Sequence, residues 1–193
     1  TLRAVYLPWL ENTARHLQQL IHANGQSVAK RAKPIEPAAG RLVVFADGLR
    51  MDVAQQLAEK LAAAGIESTQ DWEWSAIPSV TATAKPAASP IADAVQGGDA
   101  SDEFAARLVS TGQFLTQDRF VTALKEHGWQ VLGSDETGDP TGSAWTEAGA
   151  LDKRGHTEGW KLARSVDTEV GDLVSRIGAL LKAGWTEVIV VTD

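Results

Sequence analysis

The 193-residue chain is 44% hydrophobic and 22% charged with a net charge of −7. That composition can bury a core and disfavours a general nucleic-acid-binding surface, which needs clustered Lys and Arg. It has no cysteine, which excludes disulfides and thiolate metal sites and permits a reducing cytoplasm. No apolar run approaches the roughly 20 residues a membrane-crossing helix needs, and no secretory signal is visible.

Residues 8–24 repeat Leu10, Leu17, Leu20 and Ile21 at helical spacing, and Asn24-Gly25 supplies a stop. Residues 25–40, with Pro34, Pro37 and Gly40, read as a linker that also carries a local basic cluster, Lys30, Arg31 and Lys33. Residues 1–40 are therefore expected to be a helix-and-linker appendage, and residues 41–193 the main domain. Arg41-Leu-Val-Val-Phe-Ala46 is a short apolar run suited to a strand buried on both faces, closed by Asp47-Gly48. A helix is predicted over 51–64, with Val53, Leu57 and Leu61 on one face and Gly65 as its stop. Trp72–Ile77 reads as a second strand, broken by Pro78. Residues 81–100, rich in Ala, Pro, Ser and Gly, read as an active-site loop or short helices.

Phe120–His127 is a predicted helix ending at Gly128, and Trp129–Leu132 a strand. Residues 133–158 hold five glycines and are expected to be irregular. A long helix follows over 160–183, then a strand over 188–191. Strands alternating with helices make the fold class α/β: a parallel sheet covered on both sides. The chain ends at Asp193, directly after an apolar run. It reads as an excised piece, with an incomplete sheet and an exposed edge.

In parallel α/β sheets the ligand site lies at the carboxyl ends of the strands. Asp47 and Asp193 each follow an apolar strand, so one sheet would bring both carboxylates to one edge. Two close carboxylates repel unless a cation or proton sits between them. Taken alone, Asp47 could equally cap the following helix. Asp152 and His156 stand four apart beside Gly155; carboxylate and imidazole are the usual non-thiolate zinc ligands, and a solvated loop is the competing reading. Ile77-Pro-Ser-Val-Thr-Ala-Thr83 crowds hydroxyls after the presumed strand. A metal-bound threonine is a competent nucleophile, whereas an isolated stretch of this kind ordinarily serves as a turn or cap. His16, His22 and His127 read as non-catalytic, His127 at a helix C-terminus where a cation suits the dipole. There is no Walker loop, dinucleotide glycine fingerprint or Gly-x-Ser-x-Gly elbow.

In order along the chain, Val44-Phe-Ala-Asp-Gly-Leu-Arg-Met-Asp52, Ser75-Ala-Ile-Pro-Ser-Val-Thr81 and Val188-Ile-Val-Val-Thr-Asp193 resemble the alkaline phosphatase superfamily, most closely its PglZ-domain branch. Asp152-Lys-Arg-Gly-His156-Thr-Glu-Gly159 is similar to a signature of the nucleotide pyrophosphatase/phosphodiesterase branch. The resemblance covers about residues 41–193. It implies an αβα sandwich of alkaline phosphatase type, truncated here, and a cytoplasmic metal-dependent phosphatase or phosphodiesterase. The expected role is in a bacterial phage-defence system of the BREX type. It implies two divalent ions, zinc or else manganese: Asp47 and Asp193 would hold one, Asp152 and His156 the other. Thr81 would be the nucleophile, with Thr83 as the alternative, and Lys85 and Arg50 would be candidate phosphate contacts. The implied partners are a phosphoester substrate and other defence-system proteins; no membrane is expected, and the sequence carries no strong evidence for direct nucleic-acid binding. Because further ligands would lie beyond Asp193, the chain by itself is expected to be weakly active or inactive. A sulfatase or phosphoglycerate-mutase relative is a second enzymatic possibility, and the missing Cys counts against the sulfatases. The non-enzymatic alternative is a scaffold that keeps the fold and docks partners through the N-terminal helix and exposed tryptophans.

Overall fold

The computed structural model describes residues 2–24, 34–98 and 104–193. The chain divides into two units, Thr1–Ala32 and Lys33–Asp193. The basic cluster at 30–33 and the first part of the expected linker lie outside the described residues. The first unit is one helix, α1 (Leu2–Asn24), which starts earlier than the spacing predicts and contains Pro8. Glu11 and Arg15 pair along it at 2.5 Å, one turn apart.

The second unit is built on a four-stranded, wholly parallel sheet of order β4-β5-β1-β6. Its strands are β1 (Arg41–Phe45), β4 (Trp129–Leu132), β5 (Ser143–Glu147) and β6 (Glu187–Val191). The helices are α2 (Met51–Ala63), α3 (Thr81–Ala88), α4 (Gln117–Glu126), α5 (Leu151–Glu158) and α6 (Val166–Lys182). Short β2 (Val95–Gln96) and β3 (Arg107–Leu108) pair antiparallel apart from the main sheet. Residues 34–40 fold with this unit: the Ala38 N–H donates to Ser143 Oγ at 2.7 Å, and the Gly40 N–H to the Gly142 carbonyl at 3.0 Å.

Alternation along β1 sorts the core onto two faces. Leu42 and Val44 join Ala144, Leu180 and Trp185 on one side, where α2, α5 and α6 add Val53, Leu57, Leu61, Leu151, Val170, Leu173 and Ile177. Val43 and Phe45 face α4 on the other, with Phe120, Leu124, Trp129 and Trp145. The architecture is thus α/β with helices on both faces of a parallel sheet. No helix among the described residues is long and apolar enough to cross a membrane.

Three expectations are corrected. Trp72–Ile77 is not a strand: it has no partner strand among the described residues, and Trp72 and Trp74 stand exposed with their rings edge-on at 5.7 Å. Residues 133–158 are not irregular throughout. They contain β5, which separates β4 from β1, and α5, which carries Asp152 and His156. β5 reads Ser-Ala-Trp-Thr-Glu, too polar to look like a buried strand. Its hydroxyls are satisfied locally, Ser143 Oγ by the Ala38 backbone and Thr146 Oγ1 by the Leu132 carbonyl at 3.2 Å. The long helix predicted over 160–183 is also divided, into a 3₁₀ turn (Gly159–Arg164) and α6.

Trp145 is the packing centre of the α4 face. Its ring stacks on Phe45 at 5.9 Å and meets Phe120 edge-on at 5.5 Å, while its buried Nε1–H has no hydrogen-bond partner. Trp145→Ala is expected to cost about 3–5 kcal/mol in urea denaturation. Trp145→Phe should cost distinctly less, because it keeps a ring and removes the unpaired N–H.

Candidate active site

Register decides where the site forms. Phe45 lies opposite both Glu147 and Val191, so β1, β5 and β6 end level with one another. The Ala46 N–H donates to the Val191 carbonyl at 2.9 Å, extending the β1–β6 ladder one residue further. Asp47 and Asp193 therefore leave adjacent strands at the same height, as the two apolar runs predict.

The chain then turns sharply at Gly48, whose φ is +72°. A Cβ at this position would meet Asp152 Cβ and its backbone nitrogen, both at 3.2 Å. Glycine therefore serves twice here: it permits the left-handed turn and lets the start of α5 approach the end of β1. The freed backbone amides grip the other strand end. The Gly48 N–H donates to Asp193 Oδ1 at 2.9 Å, and the Leu49 N–H to Thr192 Oγ1 at 3.1 Å.

Thr81 is the first residue of α3, after an extended Val80. Its hydroxyl lies 2.8 Å from Asp193 Oδ2 and 3.2 Å from Asp47 Oδ1, so one donor faces both carboxylates. Thr83 is turned away. Its hydroxyl donates to the backbone carbonyls of Pro78 and Val80, closing the loop before α3, so the alternative nucleophile has a structural task. Arg50 is also excluded from the centre, because its guanidinium engages Asp52 on an exposed surface.

The paired carboxylates differ in acidity. Partial burial raises Asp47, and so do the hydrogen bond and negative charge of Asp193 and the charge of Asp152; the Thr81 hydroxyl opposes them, leaving the pKa at about 6. Burial also pushes Asp193 upward, but the Gly48 N–H, the Thr81 hydroxyl and the Asp47 carboxyl hold it below the ordinary carboxylate range. A proton shared by the pair therefore resides on Asp47.

Asp152 belongs to the same neighbourhood: with Asp47, Glu147 and Gly149 it lines a cavity of about 200 Å³. His156, one helical turn further along α5, is exposed, with Nε2 3.5 Å from Asp152 Oδ1. A helix presents residues four apart on one face, so this is a helical pair and not the loop pair the glycine suggested. What places α5 was not visible in sequence. Buried Glu169 of α6 accepts the Ala150 N–H at 3.0 Å and pairs with Arg154 Nε at 2.6 Å. Glu147 was missed for the same reason as β5, whose last residue it is. A larger open hollow of about 990 Å³ beside the C-terminal end of α2 gathers Glu59 and Glu67 but none of these groups.

Among the described residues no group of three or more His, Asp and Glu side chains is gathered tightly enough to hold an ion alone. The donors nonetheless suit two divalent ions. A cation between Asp47 and Asp193 would take the place of the proton their repulsion retains, with Thr81 Oγ1 beside it. Asp152 and His156 offer an O/N pair of the kind zinc and manganese accept, with water or substrate oxygens to complete the shell. The chain matches no protein-family model, no curated protein and no solved structure.

Because its folded pKa is raised, Asp47 supports the ion-free fold most fully below about pH 4, and that contribution is lost as pH rises through about 6. Asp47→Asn removes the repulsion. With chelator present, its stability relative to the parent should rise across this window by about 1 kcal/mol, a value reduced for solvent screening. Urea denaturation at several pH values reads the effect, and a difference that does not vary with pH would contradict the shared-proton arrangement.

Proposed function

We propose that this protein is a metal-dependent phosphoester hydrolase, a phosphatase or phosphodiesterase of the alkaline phosphatase superfamily resembling its PglZ-domain branch, with Thr81 as nucleophile. The observation that carries this reading is the Thr81 hydroxyl held between two carboxylates that end adjacent parallel strands. The motif resemblance along residues 41–193 supports it, as does the position of Thr81 at a helix N-terminus, where phosphoryl oxygens are favoured.

In this reading Asp47 and Asp193 hold one divalent ion, and Asp152 and His156 a second. When bound, such ions lower the pKa of a coordinated hydroxyl or water and neutralise charge on the leaving oxygen. Thr81 Oγ1 passes its proton to solvent water and bonds to phosphorus as the bond to the opposite ester oxygen breaks. The alcohol departs with a proton from water, leaving phosphothreonine. Water then attacks phosphorus and gives one proton to Oγ1 as the bond to Thr81 breaks, releasing phosphate from a monoester substrate or a phosphate monoester from a diester. The hydrogen bonds to Asp193 and Asp47 fix the direction in which Oγ1 presents its lone pairs. A cytoplasmic phage-defence role with other defence proteins as partners accompanies the motif resemblance. The scaffold reading draws on exposed Trp72 and Trp74; it gives no reason for a hydroxyl set between two carboxylates.

Zinc- or manganese-loaded full-length protein should hydrolyse bis(p-nitrophenyl) phosphate or p-nitrophenyl phosphate. Thr81→Ala should lower turnover by about a thousandfold or more while metal content by elemental analysis stays unchanged. A Thr81→Ala variant as active as the parent, or a protein that binds no divalent metal, would defeat the proposal.

A further inference from the structure

We infer that Lys85 is the substrate-binding cation of the site, taking the non-bridging oxygens of the phosphoryl group at Thr81, and that Glu147 is the resident anion it leaves to do so. This rests on the reading of Thr81 as the nucleophile. Lys85 lies four residues after Thr81 on α3, so the two share one face of the helix. Its ammonium is 2.5 Å from Glu147 Oε1, and Glu147 lines the same cavity as Asp47 and Asp152.

The other positive groups nearby are committed or exposed. Arg50 engages Asp52 at the surface, Arg154 bonds Glu158 and Glu169, and Lys153, although it lines the cavity, is exposed to solvent. The Lys85 side chain is only 14% exposed. Its ammonium lies 5.6 Å from the centre of the Phe45 ring and 5.3 Å from that of Phe120. These rings attract the ammonium, and the four-carbon chain lets the charged end pivot between them and an incoming anion. Glu147 is 43% exposed and can be hydrated when released, so exchanging its carboxylate for a phosphoryl anion costs little. With Asp47, Asp152 and Glu147 lining one cavity, a phosphoryl dianion needs a positive side chain as well as metal, and Lys85 is positioned to supply it.

Binding of inorganic phosphate to the zinc-loaded full-length protein, followed by calorimetry, tests this without turnover. Lys85→Met keeps an unbranched stem and removes the charge. It should weaken phosphate binding by roughly tenfold to a hundredfold with zinc content unchanged, and Lys85→Arg should restore most of the loss. Glu147→Gln should tighten binding, and this gain should disappear in the Lys85→Met background; a carboxylate acting only through the general field would give the same gain in both. A parent that takes up zinc but no phosphate overturns the phosphoryl reading of the site and this inference with it. A parent that binds phosphate, beside a Lys85→Met variant that binds it equally well, overturns the role of Lys85 alone.

Discussion

The site depends on one electrostatic constraint: parallel pairing of β1 with β6 drives the carboxylates of Asp47 and Asp193 to the same height at one sheet edge. Backbone hydrogen bonding sets that register, and two apolar faces hold it. The side chains cannot relax apart without breaking the ladder. Folding therefore stores a local repulsion, and the surroundings answer it with donors: the Gly48 amide, the Thr81 hydroxyl and, below about pH 6, a proton on Asp47. Donors that partly offset a charge pair are what a cation would replace or join. In the proposed reading, the contacts that make the paired carboxylates tolerable also prepare them for a cation.

How far this was legible in sequence follows from local chemistry. β1 and β6 are uninterrupted apolar runs buried between two layers, so hydrophobicity alone reveals them and the Asp residues that end them. α2 declares itself through Val53, Leu57 and Leu61. β5 does not, because Ser143 and Thr146 look like loop residues until the backbone groups that satisfy them are known. α5 is hidden in the same way: Gly155 and its charged neighbours disfavour a helix, and the partner that anchors it, Glu169, is nineteen positions away. Trp72 and Trp74 misled for the opposite reason. Their alternation fits a strand, but no neighbouring strand offers the hydrogen bonds a strand requires. In the hydroxyl-rich loop, Thr81 and Thr83 were equivalent as letters; only the direction of Thr83 toward the Pro78 and Val80 carbonyls separates them.

The Asp47/Asp193 and Asp152/His156 pairs are secured by different means, and their precision should differ accordingly. Asp47 and Asp193 extend directly from hydrogen-bonded strands, so their spacing is as rigid as the sheet. Asp152 and His156 ride on a short helix fixed at its start by the Glu169 carboxylate, which is 4% exposed and ion-paired with Arg154. This pair is sensitive to the loss of Arg154, since the buried Glu169 carboxylate is then left without its cation. Gly48 is the contact between these two supports, because only a residue without Cβ lets the α5 backbone lie against the turn that follows β1. The geometry between the pairs is therefore set by a backbone approach and not by side-chain packing. It follows that a substituent at Gly48 would press Asp152 away from Asp47 and Thr81 and would also strain the left-handed turn after β1, so it would disturb the site and cost stability together.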